Sequence, residues 1–360
     1  MVLRRAASTA ACLLVHRASS FVPPCDRFPT YASACRRQAV FQRQRYSSHQ
    51  RKYHHQQQPP PQRQQHRQRL HVHSGRVSSM AAEGSAASSA TVYAFDFDGV
   101  ICNSQGESSR SGYRALERVC PEVTEQLRAT EHGGDKSDGA PLWIVEKMKE
   151  LRPIVETGFE NILLVRLLIE ERLGLPVPYP SEELFERWGS EARDELASRY
   201  GLRQEELVDA FGSARDEWIE TDFQGWLGAN TFYEGVSEAI SACQGEVYVV
   251  TTKQTRFANA LLDHAGIQVP VDRIFGLGTG PKPGVLAQLL TKHSGSAIVF
   301  LEDRVETLEA VCTDSKLEDV RLYLCDWGFN TAAQRARGEA NERVTLIGTD
   351  DLASLLAPDA

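Results

Sequence analysis

The sequence predicts an α/β protein, in which a Rossmann-like parallel sheet forms the core and an all-helical domain is inserted after the first strand. The short apolar run Thr91–Phe95 is typical of a buried strand. From about Tyr233 onward, apolar strands alternate with amphipathic helices, which is the pattern of a parallel sheet covered on both faces. The long stretch between these two regions carries apolar residues three and four positions apart, as surface helices do.

The individual elements follow from the same patterns. Six apolar runs are predicted to be strands: Thr91–Phe95, Glu246–Thr251, Ile274–Phe275, Ala297–Leu301, Val320–Cys325 and Arg343–Ile347. Four amphipathic segments are predicted to be helices that cover the sheet: Gln254–Ala265, Pro283–His293, Val305–Cys312 and Asp350–Leu356. Four more helices are predicted for the inserted domain: Leu142–Leu151, Glu156–Leu173, Ser181–Tyr200 and Gln204–Ile219.

The chain divides into three predicted segments. Residues 1–90 are expected to be a disordered organelle-targeting leader, residues 91–102 and 230–360 the α/β core, and residues 103–229 a helical cap. The leader holds 14 Lys and Arg but only two Asp and Glu, and it is rich in serine, as transit peptides are. Within it, Gln42–Gln68 is dominated by Gln, Arg, His and Pro, a composition that cannot bury enough apolar surface to fold.

The start of the leader favours a destination. Arg4 and Arg5 precede the fairly apolar stretch Ala6–Val15, and Phe21 follows shortly after. This order resembles the bipartite plastid leaders of algae with secondary plastids, in which a signal peptide ends just before a Phe. We therefore expect the plastid (chloroplast), with the mitochondrion as the alternative.

Charge and hydropathy restrict the partners of the remaining 270 residues. These hold 26 Lys and Arg against 46 Asp and Glu, and so strong an acidic balance argues against nucleic acid as the main partner. No apolar run approaches the ~20 residues that span a bilayer, so we expect no membrane segment. The sequence does not indicate an oligomeric state.

Two carboxylates follow the first predicted strand. Asp96 and Asp98 lie two residues apart, so their side chains are expected on one side of the chain, and Gly99 permits a sharp turn there. Ligands of open α/β sheets bind beyond the carboxyl ends of the strands. Paired carboxylates at such a position require a cation between them or a proton on one of them. The alternative is a loop that begins with a capping Asp and a turn Gly.

Three later strands also end in polar residues. Thr251 follows one strand and could hold an oxyanion together with the next backbone N–H groups. A glycine-rich loop then places Lys282 at the start of a helix, where a cation is unfavourable unless an anion lies nearby. Glu302 and Asp303 end a further strand and could bind a hard cation such as Mg²⁺. Taken singly, these residues also fit a strand-ending Thr, a solvated Lys and a helix cap.

Taken together, the four strand ends resemble the four sequence motifs of the haloacid dehalogenase (HAD) superfamily, over the 270 residues from Thr91 onward. The fourth motif matches the Glu-Asp variant, at Glu302 and Asp303. The commoner variant has an Asp four residues after the metal-binding Asp, and this chain has Thr307 there, with Glu306 beside it. The support of the metal-binding residues is therefore the point at which the chain departs from the family.

The resemblance implies a role for each motif residue. Asp96 would be the nucleophile, and Asp98 the general acid and base. Thr251 and Lys282 would orient the phosphoryl oxygens, with Thr252 also in the substrate-binding site.

The same resemblance implies a metal and a cap. Mg²⁺ would be held by Asp96, by the backbone carbonyl of Asp98, and by Glu302 and Asp303. The helical domain would be the cap that closes over the site. In it, Arg152 is expected to face the leaving group, unless its segment is an ordinary turn between helices.

These expectations favour a Mg²⁺-dependent phosphatase that acts on a small phosphorylated metabolite, with phosphoglycolate as a candidate. Four runs taken together are similar to a subgroup of the superfamily from photosynthetic organisms: Thr251–Gln254, Gly276–Lys282, Glu302–Arg304 and Asp326–Thr331. A phosphomutase of the same superfamily and a non-catalytic binding scaffold remain as alternatives. A dehalogenase is disfavoured, because it would need neither Asp98 nor a metal.

Overall fold

The computed structural model describes residues 91–130, 136–137 and 139–357, which all belong to one compact unit of the chain. The predicted leader, residues 1–90, lies outside the described residues. No helix in the described part combines the length and the apolar character that crossing a bilayer requires.

The core is a six-stranded parallel sheet, which confirms the predicted fold class. The strands are β1 (Val92–Phe95), β6 (Glu246–Val250), β7 (Ile274–Phe275), β8 (Ile298–Glu302), β9 (Val320–Cys325) and β10 (Val344–Ile347). Their order in the sheet is β10-β9-β8-β1-β6-β7, so the first strand lies at the centre between β8 and β6. Strands β1 and β8 are buried along their whole length, as expected for a sheet covered by helices.

Among the described residues, six helices belong to the core. They are α9 (Val236–Ala242), α10 (Thr255–Ala265), α11 (Lys282–Lys292), α12 (Val305–Cys312), α13 (Ala332–Glu339) and α14 (Thr349–Leu356). Apolar residues of β1, β6, β8 and β9 form one buried cluster with residues of α11 and α12. Helix α10 ends where predicted, because Gly266 has a φ of 75° and closes the helix in the left-handed conformation.

The segment between β1 and β6 forms a helical insert with a hydrophobic core of its own. Its helices are α1 (Gln105–Val119), α2 (Pro121–Thr130), α3 (Leu142–Leu151), α4 (Glu160–Arg172), α5 (Leu184–Arg187), α6 (Ser190–Arg199), α7 (Gln204–Thr221) and α8 (Phe223–Gly228). Two antiparallel strands of two residues each, β3 (Lys136–Ser137) and β4 (Ala140–Pro141), lie between α2 and α3 in the chain. Where the chain enters and leaves the insert, β2 (Cys102–Asn103) pairs with β5 (Thr231–Phe232).

Two predicted helices of the insert differ from the structure. The predicted helix Ser181–Tyr200 is broken at Gly189, whose extended backbone separates α5 from α6. The predicted helix Glu156–Leu173 starts only at Glu160, and residues 152–154 form a 3₁₀ turn before it. The Glu160 carboxylate accepts a hydrogen bond of 2.8 Å from the Thr157 N–H and thereby ties the segment that leads into the helix to its first residue.

Helix α1 lies at the centre of the insert and packs against α4 and α7, but it is not among the helices predicted from the sequence. Its buried face includes Glu107, Ser108, Ser111 and Gly112. A methyl group at Gly112 would collide with Asn161 of α4, so the two helices approach closely. These small and polar residues share the buried face with Tyr113, Ala115 and Leu116.

Candidate active site

The candidate active site lies at the carboxyl edge of the sheet, where the loops after β1, β6, β7 and β8 meet. A cavity of about 330 Å³ opens there between the core and the insert. Five residues predicted from the four strand ends line it: Asp96, Asp98, Thr251, Lys282 and Asp303. This convergence follows from the strand order, since β8, β1 and β6 are neighbours and end at one edge.

Lys282 is held between two carboxylates. Its Nζ lies 3.0 Å from Asp96 Oδ1 and 2.7 Å from Glu302 Oε2. Burial of the three groups works against ionisation of each, and their mutual attraction favours it. For Asp96, burial and the neighbouring acids outweigh Lys282 and raise the pKa to about 6. Burial also raises the pKa of Glu302 to about 6, while Asp96 and Glu302 keep the pKa of Lys282 above its ordinary value.

Three buried carboxylates could hold a metal ion together. One oxygen each of Asp96, Glu302 and Asp303 lies within 4.8 Å of the others. Burial, followed by the charge of Asp96, raises the pKa of Asp303. Oxygen ligands of this kind suit Mg²⁺, and a divalent cation would supply the charge that the acids lack. The donor set therefore fits the metal that the sequence predicts.

The loop after β9 holds Asp303, the metal-binding acid predicted from the fourth motif, in place. Asp303 Oδ2 accepts a hydrogen bond of 2.7 Å from the Phe329 N–H, and Asn330 Nδ2 donates to the Asp303 carbonyl at 2.9 Å. Glu306, which stands beside the position at which the HAD motif commonly has an Asp, accepts a hydrogen bond from Arg337 Nη2 at 2.6 Å. The loop after β9 thus holds Asp303 in place of an acid from its own helix.

Two glycines allow Asp303 to approach the first motif. Gly99 has a φ of 94°, and a methyl group on it would collide with the Asp303 carboxylate. A methyl group at Gly328 would collide with Asp303 Cβ and with the Gly99 carbonyl. The predicted turn at Gly99 therefore has two causes, a left-handed backbone and a close contact.

Asp98 lies in a different electrostatic setting from Asp96. Its Oδ1 accepts a hydrogen bond of 2.8 Å from Lys253 Nζ. Burial would raise its pKa, but Lys253 and then Arg152 outweigh burial and lower the pKa to about 2. The Asp98 carboxylate is not part of the metal-ligand cluster found among the described residues. The predicted contribution of its backbone carbonyl to a metal site stays a prediction.

Lys253 belongs to a buried chain of charges that the sequence did not reveal. Its Nζ lies 3.8 Å from Glu107 Oε2, and Glu107 pairs with Arg215 through two hydrogen bonds of 2.7 Å. The side chains of Lys253 and Glu107 are fully buried, and that of Arg215 is 4% exposed. Burial would raise the pKa of Glu107, but Arg215 and Lys253 lower it. The only local signal was the position of Lys253 two residues after Thr251.

The two threonines after β6 have different partners. Thr251 is buried, and its Oγ1 accepts a hydrogen bond of 3.1 Å from the Lys253 N–H, which shapes the turn after the strand. Thr252 Oγ1 donates at 3.0 Å to the carbonyl of Glu156 in the insert. Both line the cavity, but the hydroxyl of Thr252 binds the insert in this arrangement.

Arg152 reaches the site from the insert. Its guanidinium lies 3.9 Å from the centre of the Phe329 ring, and Nη1 donates to the Val155 carbonyl at 2.9 Å. Its Nε is buried and has no hydrogen-bond partner among the described residues. Arg304 of the core donates to the carbonyls of Pro153 and Val155 at 3.2 Å each. The turn that carries Arg152 is thus fastened to the core directly beside Asp303.

No protein-family model and no curated protein sequence matches the chain. Solved structures do resemble it in fold. A predicted phosphoglycolate phosphatase from Haemophilus somnus 129pt is 15% identical, with a TM-score of 0.46 over 76% of this chain and 100% of that one. A predicted phosphatase from Clostridium acetobutylicum is 14% identical, with a TM-score of 0.43 over 74% of this chain and 97% of that one.

A HAD family hydrolase from Deinococcus radiodurans R1, solved with bound phosphate and sodium, is 17% identical. Its TM-score is 0.37 over 76% of this chain and 100% of that one. Likeness at these values carries no functional conclusion, so the residues of this chain must decide its function.

Proposed function

We propose that this protein is a Mg²⁺-dependent phosphatase of the HAD superfamily, which hydrolyses a small phosphorylated metabolite through an aspartyl-phosphate. The observation that carries the proposal is the convergence of Asp96, Asp98, Thr251, Lys282 and Asp303 on one cavity. A nucleophile, an acid–base group, cationic and hydroxyl groups for the phosphoryl oxygens, and a metal-binding acid are the parts that phosphoryl transfer needs.

Asp96 is the proposed nucleophile. One of its oxygens attacks phosphorus, the bond from phosphorus to the leaving oxygen breaks, and the carboxylate carries the phosphoryl group until water releases it. Lys282, 3.0 Å from Asp96, neutralises negative charge on the transferred group. The Thr251 hydroxyl, at the end of the neighbouring strand, orients a phosphoryl oxygen.

Asp98 is the proposed general acid and base. It protonates the leaving oxygen in the first step and accepts a proton from the attacking water in the second. A phosphate anion beside Asp98 favours its protonated form, as any nearby negative charge does. Its carboxylate lines the cavity next to Arg152 and Thr252, on the side of the insert.

Asp96, Glu302 and Asp303, together with the backbone carbonyl of Asp98, are the proposed ligands of Mg²⁺. When bound, the ion shields the nucleophile from the charge of the phosphate and stabilises the charge that is transferred. The Phe329 N–H fixes the orientation of Asp303 for this task.

The insert is the proposed cap, and Arg152 its contact with the leaving group. Arg152 and Asp98 both line a second, small cavity of about 40 Å³ between the insert and the core. A guanidinium with a buried, unpartnered N–H suits an anion such as a carboxylate. Phosphoglycolate, whose leaving group is small and carries a carboxylate, is therefore the candidate substrate.

The predicted leader gives the proposal a location. Residues 1–90 would direct the protein to the plastid, with the mitochondrion as the alternative. Fusion of these residues to a fluorescent protein, imaged in a cell with plastids, is expected to give a plastid signal. A cytosolic signal would contradict this part of the proposal.

Release of inorganic phosphate by the full chain tests the proposed activity. With Mg²⁺, the protein is expected to hydrolyse at least one member of a panel of phosphorylated metabolites, and excess chelator should stop the reaction. Asp96→Asn should remove the activity. If wild type and Asp96→Asn are equally inactive on the panel and on an aryl phosphate, the binding-scaffold alternative is correct. Isomerisation of a sugar phosphate without phosphate release would indicate the phosphomutase.

A further inference from the structure

We propose that Lys253 is a positioning residue for Asp98, held in place by the buried Glu107–Arg215 pair of the insert. The inference rests on the proposed phosphatase function, because it concerns the group assigned there as general acid and base. The resemblance to the HAD motifs assigns no role to Lys253, Glu107 or Arg215.

The geometry of Lys253 supports a positioning role. Its Nζ donates to Asp98 Oδ1 at 2.8 Å, while its side chain is fully buried and lies near the Phe97 ring. A flexible ammonium that is enclosed on all sides has few alternative positions. It therefore fixes one oxygen of Asp98, whose carboxylate lines the cavity.

The insert supplies the groups that hold Lys253. Glu107 is on α1 and Arg215 is on α7, and they form a two-hydrogen-bond pair that is 108 positions apart in sequence. The Ser111 hydroxyl donates to Glu107 Oε1 at 2.6 Å, and the Arg215 guanidinium lies 4.3 Å from the Phe211 ring centre. Glu107 Oε2 is thereby aimed at Lys253 at 3.8 Å.

The arrangement links the two parts of the site. Asp98 and Lys253 belong to the core, whereas Glu107 and Arg215 belong to the insert, and Lys253 lies near both acids. Docking of the insert and orientation of the general acid therefore depend on the same ammonium. A salt bridge between core and insert that served stability alone would not need to end on a cavity-lining acid.

The leaving group distinguishes a positioning role from a merely structural one. An alkoxide leaves poorly unless Asp98 protonates it, whereas 4-nitrophenolate leaves without a proton. The value of kcat/KM reports the steps up to departure of the leaving group. It should be measured in the full chain with Mg²⁺, for 4-nitrophenyl phosphate and for the best alkyl phosphate of the metabolite panel.

Lys253→Met is expected to lower kcat/KM for the alkyl phosphate by about 100-fold and for 4-nitrophenyl phosphate by less than about 10-fold. Asp98→Asn should show the same selectivity, and Glu107→Gln a weaker form of it. Lys292→Met is the matched control and should change neither value. Lys292 is the last residue of α11, at the opposite end of that helix from Lys282, and its Nζ donates a hydrogen bond to the Tyr248 hydroxyl.

Equal losses on both substrates, or no loss on either, would overturn the positioning role. If Lys253→Met does not fold, Lys253→Arg replaces it, because it keeps the charge and changes only the hydrogen-bond geometry. This variant should lose about 10-fold in kcat/KM for the alkyl phosphate alone. Equal losses of kcat/KM on both substrates would again contradict the inference. A wild-type chain that hydrolyses neither substrate refutes the proposed function itself, whereas an active wild type with unselective variants refutes only the role of Lys253.

Discussion

The candidate site contains two buried groups of charges that differ in balance. In the acidic cluster, three carboxylates (Asp96, Glu302 and Asp303) face one ammonium, that of Lys282. In the bridging chain, two carboxylates (Asp98 and Glu107) face two cations (Lys253 and Arg215). Burial raises the pKa of the acids in the first group, while the cations lower it in the second.

The difference indicates where a ligand belongs. Buried charges that are paired within the protein do not need a ligand to balance them. Removal of one partner of such a pair leaves the other charge uncompensated. Charges that remain unpaired are unfavourable until a cation arrives. The acidic cluster is therefore the proposed binding site for Mg²⁺, and the bridging chain is the proposed permanent framework around Asp98.

The largest contrast is expected from Asp96→Asn. The variant should lose activity by about 10⁴-fold or more, since the nucleophile is gone. Its metal-free form should nevertheless be more stable than wild type by about 1 kcal/mol. The reason is that one of three like charges is removed, while Lys282 retains its ion pair with Glu302. Urea unfolding in excess chelator measures the second effect. A destabilised variant would contradict the view that the acidic cluster is short of positive charge.

Glu107→Gln should have the opposite effect on stability. It leaves Arg215 buried without a charged partner, and breaking such a pair costs about 3–5 kcal/mol. The double variant Glu107→Gln with Arg215→Met should lose less than the sum of the two single losses, because no uncompensated charge remains at that pair. Urea midpoints of the four proteins give the coupling, and additive losses would show that the two groups do not interact.

The metal-free protein should become more stable as the pH falls from about 7 to about 4. The pKa values of Asp96 and Glu302 are about 6 in the fold, above their ordinary values of 3.8 and 4.5. Between those limits the folded chain binds more protons than the unfolded chain, so a lower pH favours folding, by about 2 to 3 kcal/mol for each of the two acids. Asp98 and Glu107, whose pKa values lie below their ordinary values, oppose this trend only below about pH 5.

Thermal unfolding at several pH values measures this slope. Mg²⁺ should flatten it, since a bound cation favours the ionised acids, and Glu302→Gln should reduce it in chelator. If the metal-free protein becomes steadily less stable below pH 7, the negative charges of the acidic cluster are already compensated within the protein.

Arg152→Met is expected to give the smallest effect. It should raise KM for a substrate with a second anion by about 10-fold, and leave KM for an aryl phosphate nearly unchanged. Arg337→Met, on the core surface, is a suitable control because its partners are Glu306 and Glu309. Equal changes for both substrates would mean that Arg152 serves the docking of the insert and not the choice of leaving group.

The same division separates what the sequence could predict from what it could not. The acidic cluster was predictable, because Asp96, Glu302 and Asp303 follow strands whose hydrophobic patterns are plain, and parallel strands end at one edge. Lys282 was predictable in the same way, although its pairing with Asp96 required the structure. The fold class followed from the alternation of strands and helices.

The bridging chain was not predictable by local reasoning. Glu107 lies on a helix that was not predicted, Arg215 is 108 positions away, and Lys253 is 155 positions from Asp98. Charged residues on helices are usually solvated, so nothing in their spacing distinguishes a buried pair. Likewise, the Phe329 N–H that holds Asp303 is a backbone group. Almost any residue at that position would supply it, so the sequence does not indicate the contact.

The most direct test of the account is to trap the phosphorylated protein. The full chain should be mixed with substrate and Mg²⁺, quenched in acid within the first turnover, digested and analysed by mass spectrometry. One phosphoryl group is expected on the peptide that contains Asp96, and it should be absent from Asp96→Asn. A phosphoryl group on another residue, or steady turnover by Asp96→Asn, would contradict the assignment of Asp96 as the nucleophile.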